Sequence, residues 1–148
     1  MIFIPHNVPS LKNSKTATTV GKGNNKRTTL VHSPAVRKYL QKIGVKKYST
    51  RSGVEGYTTR PNLFRLSVGD YFENIRYPAK IKFFFVRDSR RKFDFHNAVQ
   101  IIADLLVAHG FIEDDNMDYF IPIPMCSNGE WYSVNPKQPG VYLKKVEV

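Results

Sequence analysis

The sequence predicts a small α+β domain: a mixed β-sheet packed with two main helices. Three observations carry this. Residues 79–86 (Ala-Lys-Ile-Lys-Phe-Phe-Phe-Val) begin with alternation and end as a continuous apolar run, the pattern of a central strand. Two segments repeat apolar residues at helical spacing, each with a capping residue before it and a glycine after it. Short extended segments flank both helices, so strands and helices mix along one chain. The length of 148 residues suits a single domain, and 41% hydrophobic with 13% aromatic residues is enough for a core.

The elements follow in order. Residues 2–8 read as a first strand, and this apolar start lacks the basic leader of a signal peptide. Residues 9–29 are polar, without hydrophobic period, and read as a long flexible loop. Ser33 and Pro34 supply a cap and a first-turn proline, and Val36, Tyr39, Leu40 and Ile43 form one apolar face before Gly44. Residues 47–78 read as an insertion, with a short strand somewhere in 63–71. After the central strand comes a charged turn. Asp94 then caps a second helix whose apolar face holds Phe95, Ala98, Ile102 and Leu105, ended by Gly110. Extended structure resumes at Phe111-Ile112 and continues through 117–124. Residues 127–139 read as a loop, and 141–148 as a terminal strand. Phe83, Phe84, Phe85, Tyr39 and Phe93 fit core positions. His6, His32 and His109 read as structural or exposed, and Cys126 as an ordinary residue.

The charge narrows the function. Net charge is +11, and the first 51 residues hold eleven cations and no acid. Such a balance points to a polyanionic partner. No apolar run is long enough to cross a membrane. One cysteine gives neither a disulfide nor a zinc site, so the expectation is a reduced, cytoplasmic domain with no organic cofactor. A second basic cluster is Arg87, Arg90, Arg91 and Lys92. Against this trend, Glu113, Asp114, Asp115 and Asp118 crowd carboxylates into six residues. Like charges that close are costly unless a cation or hydrogen bonds offset them. A solvated acidic turn is the plain alternative.

The two clusters flank the second helix. A helix of about 15 residues spans about 22 Å, and an extended return from Gly110 covers about 17 Å by Asp115. If the chain doubles back at Gly110, Asp115 approaches Asp94 and His96. Asp94, Asp115, His96 and Asp114 then suit a hard divalent cation, and the nearby Lys and Arg suit phosphates. A metal between carboxylates and a phosphodiester is the arrangement for hydrolysis. The alternative is that Asp94 is only an N-cap.

At these residues the chain resembles the RusA-type Holliday junction resolvases. The resemblance rests on Arg90-Arg91-Lys92, then Asp94-Phe95-His96-Asn97 opening a helix, then Gly110-Phe111 through Asp114-Asp115. It extends loosely to Val8-Pro9-Ser10-Leu11-Lys12-Asn13, and residues 47–78 have no counterpart. The resemblance implies a homodimeric, Mg²⁺-dependent crossover junction endodeoxyribonuclease, acting in recombination and repair and often phage- or prophage-borne. It implies metal ligation and catalysis by Asp94 and Asp115, with Asp114 beside the latter. DNA contacts fall to Lys12, Asn13, Lys15, Arg90, Arg91 and Lys92. Two family features are replaced. His96 stands where the second aspartate is expected, and Gln100 where a lysine is expected. Imidazole favours Mn²⁺ over Mg²⁺. His96 can ligate, act from the outer shell, serve as a base, or merely start the helix. Gln100 carries no charge for a developing oxyanion. The competing expectations are a non-catalytic branched-DNA binder, a nuclease of other specificity, and a basic protein with no DNA role.

Overall fold

The structure is a computed structural model. It describes the backbone of residues 1–10, 15–20, 27–58 and 60–146, and the side chains of 1–10, 33–58 and 60–146. Nine strands and three helices run in the order β1 (Ile2–Pro5), β2 (Lys15–Val20), β3 (Arg27–His32), α1 (Pro34–Lys42), β4 (Lys47–Ser49), β5 (Glu55–Tyr57), α2 (Leu63–Val68), β6 (Ala79–Arg87), α3 (Phe95–Ala108), β7 (Phe120–Pro124), β8 (Tyr132–Val134) and β9 (Gly140–Lys145) among the described residues.

The main sheet has five strands in the order β1-β9-β6-β7, with β8 also pairing β6. β6 is central, as its apolar run predicts. It pairs antiparallel with β9 and parallel with β7 and β8. Mixed pairing makes this a mixed α+β fold. Alternate residues Ala79, Ile81, Phe83 and Phe85 of β6 join Val141, Leu143 and Ile4 in one buried cluster. Val36, Tyr39, Leu40 and Ile43 of the α1 region reach the same cluster, with Phe64 and Val68 of α2 and the apolar face of α3. Phe84 and Val86 are buried but lie outside it, on the other face of the strand.

Both main helices begin where their caps predict. Ser33 Oγ accepts from the Val36 amide, and Gly44 follows the helix at φ +77°, a conformation glycine adopts without strain. Elsewhere the structure corrects the expectations. Residues 9–29 are not one long loop, because β2 and β3 pair antiparallel. Thr and Val dominate KTATTV and RTTLVH, and their β-branched side chains favour extended backbone. Residues 47–78 are not loop alone. They hold the β4–β5 hairpin and α2, and Phe64, Val68 and Phe72 enter the core. The strand expected in 63–71 is instead α2. Phe64, Leu66 and Val68 mimic alternation, yet Leu66 is 74% exposed while Phe64 and Val68, one turn apart, are buried. Residues 111–119 form bends and turns before β7, and the loop over 127–139 contains β8. No helix among the described residues is long and apolar enough to cross a membrane.

The sequence leaves His109 without a partner; the structure gives it a structural role. It is buried at the C-cap of α3, where Nδ1 donates to the Leu105 carbonyl at 2.7 Å. Nε2 is then the acceptor, taking the Asn62 amide at 3.1 Å. Asn62 uses its oxygen to cap α2 through the Arg65 amide. One neutral imidazole thus ties α2 to α3. Burial pushes the His109 pKa below its ordinary value, because the charged ring loses water, and the Arg65 cation adds to the push while the Leu105 carbonyl opposes it. A histidine with a depressed folded pKa contributes stability that is complete above its unfolded pKa. That stability falls as pH drops through the folded value. We expect unfolding free energy, measured by urea denaturation, to decrease below about pH 6.5. His109→Gln should be destabilised at pH 7.5 and should lose part of that pH slope.

Candidate metal and nucleic-acid site

The site is built at the carboxyl end of β6. Its last residue, Arg87, is 7% exposed, and its Nη1 donates to the Val8 carbonyl. The guanidinium lies 4.7 Å from the centre of the Phe93 ring. Desolvation lowers the Arg87 pKa, yet a guanidinium starts so high that it stays charged. Nearby, the Asp88 amide donates to Asn7 Oδ1 at 3.0 Å. These two links hold the segment after β1 against the turn before α3. Phe93 and Phe95 then pack edge-on against Phe85, and Phe95 also against Phe83. Between the anchors, Arg90, Arg91 and Lys92 are exposed. Arg87, counted from sequence with the basic cluster, is instead a buried fastener.

Asp94 Oδ1 accepts the His96 amide at 2.9 Å and the Asn97 amide at 3.5 Å, so it is the N-cap of α3. Capping occupies one oxygen. Oδ2 has no hydrogen-bond partner among the described residues. His96 is exposed one residue into the helix, its ring edge-on to Phe95. Gln100 and Asp104 follow at four-residue steps, so His96, Gln100 and Asp104 share one face of α3.

The chain does double back after Gly110. Asp115 Oδ2 accepts from Gln100 Nε2 at 2.9 Å, and the same nitrogen reaches Asp104 Oδ1 at 2.7 Å. Asp115 therefore returns to the second turn of α3, one turn beyond His96. Asp114 does not face the helix. Its oxygens accept from the Asp115 amide at 2.7 Å and the Asn116 side chain at 3.1 Å. Asn116 Oδ1 in turn takes the Asp118 amide at 2.9 Å. Of the four acidic residues, Asp114 is thus held by the turn itself and Asp115 by the Gln100 side chain.

Among the described residues, no three His, Cys, Asp or Glu side chains converge on one point. The donor set fits a divalent cation in kind. Asp94 and Asp115 each keep one oxygen without a partner among the described residues, and the His96 ring makes no hydrogen bond there. Hard oxygens with one nitrogen suit Mg²⁺ or Mn²⁺ that retain waters. Asp104 is the residue that sequence reasoning missed, although its four-residue spacing from Gln100 could have found it. Of the expected DNA contacts, Lys12 and Asn13 lie outside the described residues. Lys15 opens β2, and its side chain lies outside them. Comparison with protein families, curated proteins and solved structures finds no match to this chain.

The cap role of Asp94 is separable from any chemistry. Asp94→Ala should cost about 1 kcal/mol of stability, whereas Asp94→Asn, itself a good cap, should stay within a few tenths. Urea denaturation of both variants checks this.

Proposed function

We propose that the chain is a metal-dependent endonuclease that acts on branched DNA. In this reading it resolves four-way junctions by paired nicking as a homodimer, in recombination and repair. One observation carries the reading: Asp115 folds back onto the α3 face of His96, Gln100 and Asp104, and Asp94 caps the same helix just after the exposed Arg90-Arg91-Lys92 turn. Carboxylates beside a free basic turn suit a phosphodiester.

Asp94 and Asp115 would hold the cation, Mg²⁺ or Mn²⁺, with His96 or Asp114 completing the set. When bound, the cation polarises the phosphoryl oxygen and eases ionisation of water. Arg90, Arg91 and Lys92 grip the flanking phosphates, and Lys12, Asn13 and Lys15 extend that grip. Water attacks phosphorus and gives its proton to His96, which in that role is not a ligand; the bond to the sugar oxygen breaks, and that oxygen leaves with the electron pair and takes a proton from solvent. Gln100 supplies no charge; it holds Asp115 in place. A dimer would set two such sites across a two-fold axis, matching two opposed strands of a junction. The resemblance to junction resolvases suggests a cytoplasmic setting and a phage or prophage origin.

A second reading is favoured by Gln100 itself. Its amide bridges Asp104 and Asp115, offsetting part of their repulsion without a metal. That suits a branched-DNA binder that does not cut.

A labelled four-way junction incubated with Mg²⁺ or Mn²⁺ decides between them. The expected result is paired nicking by the natural chain. Asp94→Asn and Asp115→Asn should each lose at least about 100-fold in rate, with junction binding retained. An uncut junction in both metals, at protein levels that saturate binding, would establish the binder instead.

A further inference from the structure

A second cationic site lies at the opposite end of β6. A cavity of about 480 Å³ opens there, lined by residues 74–80 with Lys145 and Val146. Its cations are Arg76, Lys80 and Lys145, and none of its lining residues is acidic. Tyr77, 39% exposed, presents a ring to it. This ring is held from behind. Its hydroxyl accepts the Glu113 amide at 3.2 Å, and Tyr119 packs edge-on at 5.2 Å. Lys145 is held too: its amide donates to the Tyr71 hydroxyl at 3.0 Å, and its ammonium sits 4.5 Å from the Tyr71 ring centre.

The basic surface continues along the sheet. Lys80 and Lys82 are two residues apart in β6, so they share the face opposite the helices. Across the antiparallel pair, Lys82 lies directly opposite Lys144. Like charges placed opposite one another in a sheet are destabilising. Nothing in the described structure offsets this pair. Arg76, Lys80, Lys82, Lys144 and Lys145 have no ion-pair partner among the described residues.

We propose that this cavity and the adjoining lysine row bind single-stranded nucleic acid, with one base against Tyr77 and successive phosphates along Arg76, Lys80, Lys82 and Lys144, while Lys145, paired with Ile81 and held over Tyr71, faces the helix side. Charge complementarity selects a polyanion, and the braced aromatic ring selects one that carries bases. Cationic grooves with aromatic platforms are the general means of holding single strands. Lys82 lies five residues, about 17 Å, before the carboxyl end of β6, and the Tyr77 hydroxyl meets the Glu113 amide, two residues from Asp115. The lysine row uses none of the residues assigned to the nuclease site, so the proposal does not depend on that reading.

The test is fluorescence anisotropy of a labelled oligothymidylate in EDTA, so that cleavage plays no part, with a salt titration. The natural chain should bind with a steep salt dependence. The triple variant Lys80→Gln/Lys82→Gln/Lys144→Gln should bind at least about tenfold more weakly. Its log–log salt slope should fall by about 2, at about 0.7 per lost phosphate contact on a single strand. Tyr77→Leu should weaken binding with the salt slope unchanged. Thermal melting of the triple variant checks folding; relief of the Lys82–Lys144 repulsion should leave it at least as stable as the natural chain. Unchanged binding in the folded triple variant would overturn the proposal. So would a loss confined to Lys12→Gln/Lys15→Gln, or competition by a free mononucleotide as effective as the oligonucleotide.

Discussion

Parallel pairing of Ala79–Phe83 with Phe120–Pro124 obliges the chain leaving the carboxyl end of β6 to travel back before β7 can start. A hairpin cannot make that journey; a crossover must. Here α3 makes it, and its fourteen residues cover about 20 Å of return. The connection from Gly110 to Tyr119 then folds over α3 before β7 begins. That detour carries Asp115 to Gln100. The meeting of the acidic segment with the helix face is thus a consequence of sheet topology, not of attraction between the charged groups. Carboxylates alone would keep apart, and the Gln100 amide between Asp104 and Asp115 marks where that repulsion had to be relieved.

The start of α3 is fixed by a different device. A buried arginine is expensive because its charge loses water. Arg87 is compensated by the Val8 carbonyl, the face of Phe93 and the nearby Asp88 carboxylate, and its Nε has no hydrogen-bond partner in the described structure. The turn before α3 still carries four cations, Arg87, Arg90, Arg91 and Lys92, against the one carboxylate of Asp88. The same contact brings the segment after β1 to this turn. Fold and electrostatics therefore share one residue.

Much of this was legible in sequence. Caps and glycines mark α1 and α3 because their signals are local: Ser33, Asp94, Gly44 and Gly110 act within one turn of chain. The central strand was legible because burial on both faces leaves a continuous apolar run. What escaped notice depended on context. β8 is three residues long and is made a strand by pairing with Phe85, Val86 and Arg87. α2 hides in a pattern that alternates by accident, and only packing of Phe64 and Val68 on the core decides the period. The β2–β3 hairpin has no long apolar run, so its Thr content was its one signal. In the candidate site, the return of Asp115 was legible from lengths. Its register on α3 was not, because a ten-residue connection can land one turn either way. Gln100 and Asp104 settle the register through side-chain hydrogen bonds that no spacing rule encodes.

The opposing charges on β6 bear on how the chain would meet nucleic acid. One end of the strand feeds the Arg90-Arg91-Lys92 turn, and the other carries Lys80 and Lys82 facing Lys144. Lysines placed opposite each other weaken a sheet, and exposed loops could have carried the same charge without that penalty. A loop cation moves; a strand cation is fixed in spacing by the backbone. Fixed spacing matters only to a ligand with its own repeat, and a sugar–phosphate chain is such a ligand. Under the proposed single-strand site, the Lys82–Lys144 pair is where such a repeat would be matched.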